Sequence, residues 1–147
     1  MSEPQVEIYT DGACRGNPGP GGWGAVLLFN GDRKEISGGE STSTNNRMEM
    51  TAVCKALNAL KRPCRVRLYS DSALIINAFN QGWIKNWKRR GWRKANKHPV
   101  ENRDLWEEIL EAATPHQVEW IKIKGHAGIE ENERADQLAV EASKQFL

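Results

Sequence analysis

Acidic residues are missing from Ser72 to Val100, an interval that holds Lys85, Lys88, Arg89, Arg90, Arg93, Lys94 and Lys97. The 147-residue chain has 21 Lys and Arg against 19 Asp and Glu. Outside those seven cations it carries 14 basic and 19 acidic residues, so the net charge of +2 conceals one basic block on an otherwise acidic protein. A block without interspersed acids argues against an ordinary solvated face and for a polyanionic partner at one place. Long apolar runs are also missing, which excludes a membrane-spanning helix. The opening residues MSEPQVEIYT have neither a basic head nor an apolar core, so export is not expected. Cysteine is scarce: Cys14, Cys54 and Cys64 are odd in number and show no CxxC spacing. That argues against a disulfide framework and a structural zinc site, and the expectation is three reduced thiols in a cytoplasmic monomer.

What is present fits one globular domain spanning 1–147, with apolar and charged fractions of 39% and 27%. QVEIYTD alternates, with Val6, Ile8 and Thr10 on one face and Glu7, Tyr9 and Asp11 on the other, and reads as a strand. GACRGNPGPGG reads as a glycine- and proline-rich loop. WGAVLLF and RKEISGGE follow as strands around the turn signal Asn30-Gly31-Asp32, completing an antiparallel meander. A helix is expected at about 45–60, with Thr44 as N-cap and Ala52, Val53, Ala56, Leu57 and Leu60 at helical spacing. RVRLYSD is the fourth strand, and the intervening helix lets it lie parallel to the first. A short helix at 72–80, another within the basic stretch, a helix at 102–113, a fifth strand QVEWIKIK and a last helix at about 131–143 complete the order βββαβαααβα. The fold class is α/β: a mixed five-stranded sheet, three antiparallel strands and two parallel, flanked by helices.

Four acids sit beside apolar patterns. Asp11 and Asp71 end similar runs, Tyr9-Thr10-Asp11 and Tyr69-Ser70-Asp71, and parallel neighbours would bring both to one carboxyl edge. Glu49 precedes Ala52 and Val53 by three and four residues and so shares their sheet-facing stripe. Asp136 precedes Ala139 by three and can reach the same edge. Taken singly, each acid is explained by a turn, a cap or a solvated helix position. Taken together, four converging carboxylates would repel one another without cations, and hard divalent ions are their natural partners. Such a site suits two-metal phosphodiester hydrolysis.

YTDGACRGNPGPGGWGAV, STSTNNRMEM, LYSDS, GWIKNWKRRGWRKANKHPVENRDLW and KGHAGIEENERAD, in this order and spacing, resemble the bacterial ribonuclease HI family, the type 1 ribonucleases H. The likeness runs from about Gln5 to Ala142. It implies a ribonuclease H-like fold and an endonuclease that cuts the RNA strand of an RNA–DNA hybrid, leaving 5′-phosphate and 3′-hydroxyl ends. It implies two Mg²⁺ ions, with Mn²⁺ as substitute, held by Asp11, Glu49, Asp71 and Asp136. It also implies that His126 aids proton transfer or product release, a role suited to a side chain that titrates near neutral pH. Glu133 is open between a supporting acid and a first-turn helix acid.

The resemblance further places Gly12, Cys14, Gly16 and Asn17 along the RNA strand, and Asn45 and Asn46 at minor-groove edges, where the 2′-hydroxyl is read. Asn45 is equally explained as helix-start chemistry. The basic protrusion at about 83–98 would hold the duplex through Trp83, Lys85, Lys88, Arg89 and Arg90. For Trp83, Trp87 and Trp92, packing within the protrusion is the alternative; Trp106 and Trp120 are expected in the core. Some family members have an arginine two residues before the threonine of the TNN motif. Here it is Thr42, which leaves Thr44 and Asn102 to hold a DNA phosphate with less charge. Two residues after Asp71 stands Ala73, without a side-chain hydrogen bond to give. Two other readings compete with the hybrid-specific enzyme: a catalytically silent nucleic-acid-binding module of the same fold, and a DNA-strand transferase or resolvase.

Overall fold

The computed structural model describes residues 3–125 and 128–146. Strands β1 (Gln5–Cys14), β2 (Gly19–Phe29) and β3 (Asp32–Ser43) form the meander. Helix α1 (Asn45–Asn58) then crosses to β4 (Arg65–Ser70). Three helices follow, α2 (Ala73–Asn80), α3 (Trp83–Arg89) and α4 (Arg103–Ala113), before β5 (Gln117–Lys122) and α5 (Glu130–Ser143). The order in the sheet is β3-β2-β1-β4-β5. β1 is therefore central, antiparallel to β2 and parallel to β4 from Gln5 opposite Arg65 to Tyr9 opposite Tyr69. The expected element order and mixed sheet are what the chain adopts. A single 3₁₀ turn at Lys144–Phe146 was not foreseen.

The two faces of β1 meet different helices. Val6, Ile8 and Thr10 are buried on the α1 side, where Val53, Ala56 and Leu57 join the same apolar cluster. Thr44 caps α1 as expected: its backbone is extended and its Oγ1 accepts the Arg47 N–H at 3.2 Å. On the other face α5 lies across β2 and β1.

The glycine-rich segment corrects an expectation. Only residues 15–18 leave the ladder; Gly12, Ala13 and Cys14 pair with Trp23, Gly22 and Gly21. The glycines serve helix packing more than turning. A Cβ on Gly22 would collide with the carbonyl oxygen of Ala139, and one on Gly24 would sit 2.6 Å from the carbonyl oxygen of Ala135. Composition alone cannot separate a loop glycine from one that admits a backbone at close range.

Trp106 is 1% exposed and belongs to the core, as expected. Trp120 is only half-buried and stacks on Phe79 with centroids 3.9 Å apart. The open question over the protrusion's tryptophans is resolved toward packing for two of them. Trp87 meets Trp106 edge-on at 5.3 Å. Trp92 is 9% exposed and lies under the Arg103 guanidinium at 5.3 Å.

Candidate metal centre and nucleic-acid interface

Asp11 stands opposite Gly24 in the β1–β2 ladder, so it emerges on the α5 side of the sheet. Glu49 comes from α1 on the other side. They meet because residue 12, between them, has no side chain: a Cβ there would lie 2.6 Å from the Met48 carbonyl carbon. The Gly12 N–H donates to Asp11 Oδ1 at 2.9 Å and to Glu49 Oε1 at 3.1 Å. Asp71 follows the last residue of β4. Oxygens of Asp11, Glu49 and Asp71 all lie within 4.8 Å of one another. Asp136 lines the same open cleft of about 390 Å³ from α5, without entering that tight trio.

This cluster is costly as it stands. Asp11 and Glu49 are 5% and 6% exposed. Burial pushes the Asp11 carboxyl up to about 6, with Asp71 and Asp136 adding to the rise and hydrogen bonds from Glu49 and Gly12 opposing it. Burial also holds Glu49 well above the usual carboxylate range, reinforced by Asp11 and Asp71. Glu49 Oε2 is buried without a hydrogen-bond partner among the described residues. An orphaned carboxylate oxygen beside two further carboxylates is a donor set for a hard divalent cation. Such an ion would remove the repulsion and satisfy the oxygen.

The expected substrate residues divide into groups. Gly12, Asn45 and Asn46 line the cleft with the carboxylates, as does Ala73. Cys14, Gly16 and Asn17 run outward from it and have ties within the protein. The Cys14 thiol donates to the carbonyl oxygens of Gly19 and Ser43 at 3.4 and 3.3 Å. Asn17 Oδ1 accepts the Asn45 N–H at 3.0 Å, satisfying a free donor at the start of α1. Gly16 makes the turn with φ 81°. Asn102 and Asn46 line an adjoining cavity of about 170 Å³ with Trp87 and Lys94. Thr42 is exposed on β3.

Trp83 is half-buried at the start of α3, with Trp87 at 6.3 Å. Lys85, Lys88, Arg89 and Arg90 are exposed on α3 and its end, outside the cleft lining, and form no salt bridge among the described residues. His126 lies outside the described residues. Glu133 is exposed in the first turn of α5 with Glu130 and Glu131, the placement a helix dipole favours, and does not line the cleft.

Sequence reasoning missed two contributors. A Cβ on Gly125 would sit 2.7 Å from Asp71 Oδ2, so its bareness makes room for that carboxylate. Arg47 and Asp104 form a two-pronged ion pair that ties α1 to α4. Opposite charge is the sole signal for that pair, and it does not select among 40 charged residues.

The RNase H family model matches residues 3–144. A protein named Ribonuclease H from Symbiobacterium thermophilum is 63% identical over 135 residues, covering 92% of each chain. One of the same name from Caldanaerobacter subterraneus is 60% identical over 142 residues, covering 97% of this chain and 93% of that one. Among solved structures, LC11-RNase H1 in complex with RNA/DNA hybrid superposes with a TM-score of 0.71 at 28% identity, covering 95% of this chain and 97% of that one. With its central strand, its last helix and all four acids inside the matched span, the chain belongs to the RNase H family.

Proposed function

We propose that this ribonuclease H hydrolyses the RNA strand of RNA–DNA hybrids as an endonuclease, using two Mg²⁺ ions and leaving 5′-phosphate and 3′-hydroxyl ends. The observation that carries the reading is the trio Asp11, Glu49 and Asp71, with its orphaned Glu49 oxygen, at the bottom of a cleft walled by Asn45 and Asn46. Asp11, Glu49, Asp71 and Asp136 would hold the ions, and Mn²⁺ suits the same oxygen donors. When bound, such ions activate a water for attack on phosphorus and stabilise the departing 3′-oxygen.

The chain's own residues do the remaining work. Gly12 N–H fixes the two buried carboxylates in register. Asn45 and Asn46 present donors and acceptors where a minor groove would lie. Gly12, Cys14, Gly16 and Asn17 form the edge along which the RNA strand would run. Thr44 and Asn102 take a backbone phosphate, and Trp83, Lys85, Lys88, Arg89 and Arg90 hold the duplex further out. His126 assists proton transfer or release of product.

The relatives named Ribonuclease H and the likeness to a hybrid-bound enzyme support this substrate. A silent binding module would not need to keep buried, mutually repelling acids. The test is cleavage of labelled RNA–DNA hybrid, duplex DNA and duplex RNA, with and without Mg²⁺. Cleavage confined to the hybrid and to Mg²⁺ is expected, with activity abolished in Asp71→Asn. Near-normal Mg²⁺-dependent activity in that variant would remove the site assignment.

A further inference from the structure

Arg47 is the third residue of α1 and touches both groups assigned to the phosphate. Its backbone N–H donates to Thr44 Oγ1 at 3.2 Å. Its Nη1 donates to Asn102 Oδ1 at 3.1 Å. The same guanidinium is clamped by Asp104, with Nη1 to Oδ1 at 3.1 Å and Nη2 to Oδ2 at 2.8 Å. A guanidinium has donors and no acceptor, so the Asn102 atom facing it must be the oxygen. Asn102 Nδ2 is then left without a partner among the described residues, and the Thr44 hydroxyl, having accepted, keeps its own hydrogen to donate.

Asn102 is also unusual in its place. It occupies the N-cap position of α4 in the left-handed conformation, φ 59° and ψ 34°, and its side chain makes no capping bond. Asparagine at a helix start ordinarily accepts from the first turn. Here that acceptor is drawn away to Arg47. Asn102 and Asn46 line one cavity, and Asn46 also walls the acidic cleft, so the arrangement adjoins the reaction site.

We propose that Arg47, locked by Asp104, is a positioning residue that presents Asn102 and Thr44 to a backbone phosphate as donors. This rests on the hybrid-binding reading above. An anion needs donors and is repelled by lone pairs; the Arg47 guanidinium engages one lone pair of Asn102 Oδ1, and its backbone N–H engages one of Thr44 Oγ1. The Arg47 charge is balanced by Asp104, so the phosphate receives directed donors with no added net charge. In this the site differs from the protrusion, whose cations act through charge.

The discriminating variant is Asn102→Asp. Its carboxylate still accepts from Arg47, so the melting temperature should equal or exceed that of the parent. It places an oxygen where Nδ2 was. On labelled hybrid, KM should rise about tenfold more than in Asn102→Ala, with kcat little changed. Arg47→Lys keeps the charge and loses the fork. It should raise KM while the slope of log Kd against log salt, measured in an Asp71→Asn background, stays that of the parent. A slope reduced by about 0.7–0.9 in Arg47→Lys or Arg47→Gln would mean that Arg47 itself contacts phosphate, and would overturn the positioning role. Equal KM for Asn102→Asp and Asn102→Ala, in a protein that does cleave hybrid, overturns the donor assignment alone. A parent that neither binds nor cleaves hybrid overturns the functional reading, and this inference with it.

Discussion

The Gly12 N–H is shared by two carboxylates that both hold their protons unusually late, and this has a consequence for stability. Unfolded carboxyls release their protons near pH 4. In the fold, Asp11 does so at about 6 and Glu49 above its ordinary range. As pH rises from about 4 to 6 the native chain retains protons that the unfolded chain has lost, so metal-free stability falls, and the deficit persists above that window. Glu49→Gln removes one charge from the pair. In EDTA it should stabilise the protein by about 1–3 kcal/mol at pH 7.5, with the gain shrinking below about pH 6 and vanishing near pH 4. Thermal melts followed by circular dichroism check this; a gain independent of pH would show that repulsion is not its source. At this scale the site was partly legible. The spacing of Glu49 to Ala52 and Val53 placed it on the sheet-facing stripe, where it is. Alternation put Asp11 with Glu7 and Tyr9, away from the apolar face, and yet it is 5% exposed because α5 covers that side. Its burial depends on a helix more than a hundred residues later, which no local pattern can report.

Among the elements, α5 and β2 are the pair on which the cleft depends, because α5 brings Asp136 to the sheet edge. Their contact is backbone against backbone at Gly22 and Gly24. Gly22→Ala places a methyl against the Ala139 carbonyl, a main-chain atom that cannot rotate away. The expected cost is about 1–3 kcal/mol, read from urea unfolding. The displaced helix should also weaken Mg²⁺ binding by the variant that remains folded, measured by calorimetry. Unchanged stability would mean that the helix slides without loss. Every strand and helix of the sequence-based order has its counterpart, since period-two runs, the Thr44 cap and the helical spacing are local signals. The glycine-rich segment was misjudged as one long loop for the opposite reason. What its glycines accommodate is a tertiary neighbour.

Over the whole molecule, charge is segregated: a cluster of acids in one cleft and a run of cations on α3 and beyond, with Lys88, Arg89 and Arg90 exposed. If the cations bind duplex backbone, replacing those three with Gln should raise KM more than it lowers kcat. It should also flatten the salt dependence of hybrid binding by about 0.7–0.9 in log–log slope per lost contact. Unaltered affinity and slope in the triple variant would leave the protrusion as structure alone. This segregation was legible from a gap in the acids, because charge runs need no fold to be seen; for Trp87 and Trp92 in the same segment, composition left packing and substrate contact open, and packing is what the fold adopts. The sheet order adds something about birth. β1, at the centre, is the first strand synthesised, while its neighbour β4 and its cover α5 come much later. The four acids come together only once the ribosome has released the chain beyond Asp136. A nascent chain already bearing the cationic segment thus shows its positive charge to messenger and ribosomal RNA before its acidic cleft is complete.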